Sequence, residues 1–434
     1  MSVPNSSKLE SFIFADLLAT AVFAVLAYGT VEPWSLALFE LNALLVAVLL
    51  AVRFVFQPEA GWGDWRMALP LVAWLAFGAA QMAFSLTLDK QATKEASVKL
   101  LALTIYFLAA LATLRRSERR KKALIVLTIF GFAVSLFAIL QRLTYNGKMY
   151  WVRPVSAYIA PFGPYGNYNH FAGMVELLLP LPLAYLLFSK INLEQRLLWL
   201  FSVVMMSLAL VLSLSRGGLL ALGIELAVLM PAARWDRLQS VRAGEQARAF
   251  STVGNGLILG GALTAVALLA LWIGYEPLSK RFGTVRQGAG EYSLVTRTEY
   301  WRGAWQMFLD HPVAGVGLGA FPTAYPAYGR SSVRNERLEQ AHNDYLQLLA
   351  DTGLIGGLIG LWFLIELLRR ARKQLGALRH LRSADRAMLL GGYVAALGIG
   401  VHSFLDFNLQ IAANALLFLL VVALAATIDF KPDE

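Results

Sequence analysis

Apolar residues in this chain fall into long continuous stretches separated by short polar links, not the narrow stripes of a soluble helix or the alternation of a half-buried strand. Stretches able to cross about 30 Å of hydrocarbon lie near 12–30, 34–52, 69–87, 96–114, 123–141, 168–188, 197–215, 217–233, 254–274, 354–368, 387–406 and 411–429. The pattern predicts an all-α membrane protein of about twelve transmembrane helices. It organises the chain as helices 1–9 over 1–274 with a medium loop at 142–168, a large loop at 275–353, and helices 10–12 over 354–434.

Composition agrees with that reading. Of 434 residues, 58% are hydrophobic and 15% charged, and the mean hydropathy is +0.57, outside the range of a soluble enzyme. The net charge of +10 has the sign of a nucleic-acid binder, but the basic residues collect in alternate links, as the positive-inside rule requires of cytoplasmic loops. RRSERRKK links the fourth and fifth spans, Arg234, Arg237, Arg242 and Arg248 follow the eighth, and RRARK with Arg379, Arg382 and Arg386 follows the tenth. With Lys8 and Lys431 at the ends, both termini are expected inside, in a bacterial inner membrane, and no nucleic-acid partner is expected. The first apolar run lacks a small-residue cleavage site and reads as a retained anchor. The chain has no cysteine, which excludes disulfides, thiolate nucleophiles and Cys-ligated metal.

Alternation then places the links at 142–168 and 275–353 on the outer, periplasmic face. A connection as long as the second is functional or disordered as a rule, and Trp301, Trp305, Phe308 and Phe321 make it too aromatic for disorder. Within it, TRTEYWRGAWQMFLDHPVAGVGLGAF predicts a helix over 298–309 stopped by Pro312 and the glycines. HNDYLQLLADTGLIG predicts a second helix, opened by His342, that runs through Gly353 and Gly356 into the tenth span.

The chemically suggestive residues gather toward this face. In LSLSRGGLLAL, Ser215 is a plausible N-cap and Arg216 the first residue of the eighth span. Free backbone N–H groups beside a guanidinium, with Gly217 and Gly218 allowing close approach, suit a phosphate or diphosphate; an interfacial arginine reaching lipid headgroups is an equal reading. The loop RPVSAYIAPFGPYGNYNHFAGM brings Arg153, Asn167, Asn169 and His170 to the mouth of the sixth span, with Asn169 as N-cap and the segment as binding-site wall. Arg297, just before the 298–309 helix, suits a phosphate or an ordinary bridge to Glu299 or Glu291. His342, followed by Asn343, Asp344 and Tyr345, is the residue best placed to accept a proton near neutral pH. His402 and Asp406, four apart, are expected on one helix face in a supporting role. No metal-binding or nucleotide-binding motif occurs, so no metal and no cofactor are expected.

These blocks together resemble the O-antigen ligase and polymerase superfamily of bacterial inner-membrane glycosyltransferases. The carriers of the resemblance are the block from Arg297 through Trp301 to HPVAGVGLGAF, the block HNDYLQLLADTGLIG, SRGG at 215–218 and FGPYGNYNHFAG at 162–173. The first five spans contribute topology only. Among its members the ligase is the most similar, because the chain stops just after its last span, where protein O-oligosaccharyltransferases of the superfamily often extend; the motifs alone do not separate ligase from O-antigen polymerase.

The resemblance implies a GT-C-like helical fold with its active site facing the periplasm. It implies transfer of O-antigen from undecaprenyl diphosphate to a sugar hydroxyl of lipid A-core oligosaccharide, inverting and independent of metal and ATP, during lipopolysaccharide synthesis. Arg216 and Arg297, with Arg153, neutralise the departing diphosphate on this view, and His342 orients or deprotonates the acceptor. Ser215, Asn167, Asn169, His170, Asn343 and Tyr345 are the expected binding residues, with His402 and Asp406 behind them. The competing class is a transporter of lipid-linked glycans, but paired repeats and midplane polar sites are not evident. A scaffold leaves the Arg and His positions unexplained.

Overall fold

The computed structural model describes residues 6–56, 63–155, 161–242, 289–329 and 338–429. The expected span at 254–274, together with Arg248, Lys431 and the side chains of Arg237, Arg242 and Glu291, lies outside what is described.

The protein is an all-α membrane protein. Among the described residues ten helices are long and apolar enough to cross a membrane. They comprise α1 (Ser6–Leu26), α2 (Pro33–Phe56), α3 (Leu69–Ala83, with a preceding 3-10 turn), α4 (Lys90–Thr113), α5 (Ser117–Leu143), α6 (Tyr168–Leu178) continued by α7 (Pro180–Phe188), α8 (Leu193–Ser213), α9 (Arg216–Arg242), α12 (Asp344–Gly376) and α13 (Ser383–His402). A shorter apolar helix, α14 (Ala412–Ala426), follows, and two further helices, α10 (Ala289–Asp310) and α11 (Phe321–Ala324), belong to the large loop.

Local chemistry sets many of the boundaries. Asp89 caps α4 by accepting from Ala92 N at 2.9 Å, and Asn192 caps α8 by accepting from Gln195 N at 2.8 Å. Pro180 and Pro182 divide the sixth span into α6 and α7. Exposed stripes at Leu41, Leu44, Val48 and Val55 on α2 and at Leu358, Leu361, Ile365 and Leu368 on α12 recur at the spacing of one helix face, as a lipid-facing surface requires.

The chain forms two compact units. The first comprises Met1–Arg115, Phe282–Gly376 and Ser403–Thr427; the second comprises Arg116–Arg281, Ala377–His402 and Ile428–Glu434. In the first, α14 is buried almost throughout and packs on α4, while Glu10 and Arg53 join α1 to α2 through a buried ion pair at 2.9 Å. In the second, α13 packs on α6, α7 and α9. There Arg120 donates to Asp385 at 2.9 Å, again buried, so this arginine of the basic link is a structural tie and not a free surface charge.

The large loop folds where it is described. Tyr300, Met307, Val316, Phe321, Tyr325 and Ala350 share an apolar cluster with Trp301 and Leu346 against it. α10 starts at Ala289, well before the expected 298, so Arg297 lies inside the helix and not ahead of it. The helix ends at Asp310, as His311–Pro312 and the following glycines predict.

The expected second loop helix and the tenth span are one element, α12, interrupted at Gly353 (φ 59, ψ −158). Residues 312–317 thread against that break. Leu354 N donates to Pro312 O at 2.8 Å, Val316 N to Ala350 O at 2.9 Å and Gly317 N to Asp351 O at 2.9 Å. Gln81 of α3 joins them, donating to Ala314 O at 2.7 Å and accepting from Leu318 N at 3.0 Å. Gly315 (φ 69) lies so close that a Cβ there would overlap the backbone of Asp351 and Thr352. The glycine-rich block is therefore a backbone clasp on the kink.

Candidate functional site

Two polar clusters are built by different units.

In the first unit the centre is Asp406, 1% exposed. Helix α13 stops at His402, and Ser403–Ile411 crosses to α14 as turns and a 3-10 helix, Asn408–Gln410. Polar groups converge on this crossing. Asp344 accepts from Ser403 Oγ at 2.8 Å and from Leu409 N at 3.2 Å, Asn343 Nδ2 donates to Phe404 O at 3.1 Å, and Lys99 Nζ donates to Gln410 O at 3.1 Å. Arg297 Nη1 donates to Leu405 O at 2.8 Å while Nη2 lies 3.6 Å from Asp406 Oδ2. His342 Nδ1 lies 3.3 Å from Asp406 Oδ1, within ion-pair range but not aligned as a hydrogen bond.

His342 does not open α12. It sits two residues before the helix in the left-handed region, φ 51, a conformation that costs a non-glycine residue about 1 kcal/mol or more and clusters at functional sites. What holds it there is local. Trp301 Nε1 donates to the His342 carbonyl at 3.2 Å, Tyr300 stacks on the ring at 6.0 Å between centroids, and Phe407 meets it edge-on at 4.8 Å. Asn343 takes the capping role, its Oδ1 accepting from Tyr345 N at 3.1 Å and Leu346 N at 3.0 Å. Tyr345 is exposed and packs on Phe404. The imidazole and the guanidinium thus meet one buried carboxylate, while their own side chains stay 24% and 22% exposed.

Outside the spans, burial with Tyr300 and Glu299 nearby pushes the Tyr325 phenol up to about 12. It is a neutral wall of this loop core at ordinary pH.

In the second unit the centre is the start of α9. Leu214 closes α8 in the left-handed region (φ 61), and Ser215 Oγ accepts from Gly218 N at 3.2 Å, the expected N-cap. Arg216 follows at the first helical position, exposed, and among the described residues no hydrogen bond or ion pair engages its guanidinium. Nearby in sequence, α6 is capped by Asn167, whose Oδ1 accepts from Asn169 N at 2.8 Å. That corrects the expectation that Asn169 is the cap: Asn169 and His170 lie in the first turn, both buried. Arg153 occupies the second strand of a small hairpin, β1 (Lys148–Met149) with β2 (Arg153–Pro154), half-buried.

His402 and Asp406 do not share a helix face. The helix ends between them, so His402 turns to Glu176 of α6, with Nδ1 at 2.9 and 3.1 Å from the two carboxylate oxygens, and Asp406 turns to Arg297 and His342. Sequence reasoning passed over Glu176, Glu225 and Lys99. Each is an ionisable residue inside an apolar span, a signal that by itself marks a site of interest.

Fold and clusters define a multi-pass helical membrane protein whose charged and imidazole groups gather at helix ends and in one large loop. Residues 201–361 match the family model described as O-antigen ligase. That stretch is similar to the O-antigen ligase superfamily, whose members are glycosyltransferase-like ligases and polymerases acting on lipid-linked polysaccharide. The matched stretch includes Arg216, Arg297 and His342 and stops short of His402 and Asp406. No curated protein matches the chain.

Proposed function

We propose that the protein is an O-antigen ligase of the bacterial inner membrane, working at the periplasmic face. It moves O-antigen from undecaprenyl diphosphate to a sugar hydroxyl of lipid A-core oligosaccharide. The observation that carries the reading is the convergence of Arg297 and His342, both inside the family-matched segment, on buried Asp406, with His342 in a left-handed backbone conformation.

The acceptor hydroxyl attacks the anomeric carbon, the bond from that carbon to the diphosphate oxygen breaks, and the configuration inverts. His342 faces Asp406 through Nδ1, which leaves Nε2 to take the hydroxyl proton. Undecaprenyl diphosphate leaves as a stable anion, so its departure requires charge neutralisation rather than a proton donor. Arg297, held by Leu405 O and Asp406, and Arg216, exposed at a helix N-terminus, supply that charge; Arg153 is a further candidate. Ser215, Asn167 and Asn343 set the backbone of their turns. Asn169, His170 and Tyr345 form the wall. The activated bond arrives with the donor, so neither ATP nor a metal ion is required on this reading.

The test is transfer from purified undecaprenyl diphosphate donor to lipid A-core in detergent, with chelator and without ATP, for wild type, His342→Ala and Arg216→Ala. Product from wild type, with transfer greatly slowed but still measurable in both folded variants, supports the ligase. Lengthening of donor glycan in place of transfer identifies a polymerase, and donor movement across vesicles without bond formation identifies a transporter.

A further inference from the structure

Glu176 and His402 have no part in the reaction above, yet they occupy the unit that carries Arg216. The His402 Nδ1–H donates to both oxygens of one carboxylate, at 2.9 and 3.1 Å, and the two side chains are 1% and 0% exposed. This shared hydrogen bond aims Nδ1 at the carboxylate and leaves the Cδ2–Nε2 edge facing away from it.

That edge lies against Gly217. A Cβ built there would overlap His402 Cδ2 and Nε2, and a Cβ on Gly218 would stand 2.9 Å from Glu176 Oε1 and 2.8 Å from Ala172 Cβ. The room that two successive side chains would need is filled by the imidazole and by the carboxylate. These glycines read in sequence as freedom for a ligand to approach; in the structure they admit the Glu176–His402 pair.

We propose that Glu176 and His402 are positioning residues that lock the first turn of α9 and so set the direction in which Arg216 projects. A helix turns about 100° per residue, so a slip by one position would swing Arg216 to a different face. The turn is held from three sides: Ser215 Oγ on Gly218 N at 3.2 Å, the imidazole on Gly217 and the carboxylate on Gly218. Arg216 is the exposed residue of an otherwise buried start, Ser215 to Gly218. Glu225, two and a half turns further along α9, is a natural control. It is buried against Gly398 of α13, and neither of its oxygens has a hydrogen bond among the described residues, but it does not touch the first turn's glycines.

The geometric claim stands apart from the ligase reading; its effect on catalysis rests on that reading. The chain has no cysteine, so Arg216→Cys is a unique reporter. Its labelling rate with a water-soluble maleimide is measured in membranes, alone and combined with Glu176→Gln, Glu176→Ala, His402→Ala or Glu225→Gln. The expected result is a change of about fivefold or more in the Ala combinations, a smaller change with Glu176→Gln, and a rate within about twofold with Glu225→Gln. Rates within about twofold throughout, in protein that elutes as a single species, would overturn the proposal. Should the Ala combinations fail to fold, Glu176→Gln and Gly217→Ala decide: labelling unchanged in both overturns it, labelling shifted in both supports it.

With Arg216 restored, Glu176→Gln is expected to lower glycan transfer about tenfold, but no more than about twofold in an Arg216→Ala background, because it acts through that arginine. Equal losses in both backgrounds would overturn a positioning role. Absence of transfer in wild type would count against the ligase reading alone, since the labelling comparison needs no activity.

Discussion

Asp406→Ala removes one carboxylate and disturbs two partners at once. At 3.6 Å from Arg297, a unit charge pair is worth about 5 kcal/mol at an effective dielectric of about 20 and about 1 kcal/mol in water. Asp406 is 1% exposed and Arg297 22%, so the interaction lies between these limits. Part of it is recovered because Arg297 keeps the Leu405 carbonyl at 2.8 Å. A loss of about 2–3 kcal/mol in transition-state stabilisation follows, or roughly 30- to 150-fold in kcat/KM. Asp406→Asn retains an oxygen for Phe407 N, now at 2.9 Å, and loses only the charge, so about tenfold is expected. The assay is glycan transfer at subsaturating donor by purified protein, with thermal unfolding as the folding control. Both variants active to within about twofold of wild type while folded would refute the idea that Asp406 organises this site.

Other consequences are as direct. Gly315→Ala has to place a Cβ into the Asp351–Thr352 backbone at φ 69, and is expected to cost about 4 kcal/mol or more, seen as loss of monodisperse protein or a collapsed unfolding temperature. Arg120→Ala or Asp385→Ala strands a buried charge otherwise paired at 2.9 Å, costing about 3–5 kcal/mol, whereas exchanging the two residues is expected to recover much of the loss. Trp301→Phe deletes the 3.2 Å donor to the His342 carbonyl; a loss of about 1 kcal/mol, several-fold in kcat, is expected with little change in donor KM. Tyr325 has a folded-state value raised to about 12, so its neutral form stabilises the loop core fully below the unfolded value near 10, and that stability is lost as pH rises through about 12. Tyr325→Phe should remove this alkaline transition from the tryptophan fluorescence without altering transfer at neutral pH.

Hydropathy alone located the membrane helices among the described residues, because burying backbone polar groups in lipid leaves few alternatives to a long apolar helix. Local detail was less legible. Asn167 and Asn169 are both good caps, and only the hydrogen bond from Asn169 N selects the first. Arg297 was placed ahead of its helix because the helical pattern was taken to begin at Thr298, yet tertiary packing of Tyr300, Ala304 and Met307 carries a helix that begins at Ala289. Gly353 looked like part of a smooth entry into a span; its left-handed conformation depends on the turn segment 312–317, far back along the chain.

The pairing of His402 with Asp406 failed for a related reason. The apolar pattern runs on through Phe404 and Leu405, but the backbone leaves the helix at Ser403, where Asp344 and Asn343 supply hydrogen bonds from far along the chain. Glu176 was visible as a lone carboxylate in GMVELLLP, although its partner was not. The site residues named from motifs, Arg216, Arg297 and His342, do lie in the segment that matches the O-antigen ligase model. What the motif did not convey is Asp406, which lies outside that segment and on which two of the three converge.

The most direct test of the central claim is the single-turnover transfer of radiolabelled glycan from undecaprenyl diphosphate to lipid A-core by His342→Ala, Arg297→Ala and Asp406→Ala beside wild type. The account expects wild type to yield linked product and free undecaprenyl diphosphate in equal amounts, with each variant folded, donor-binding and at least about tenfold slower. Product formed at the wild-type rate by His342→Ala would contradict it.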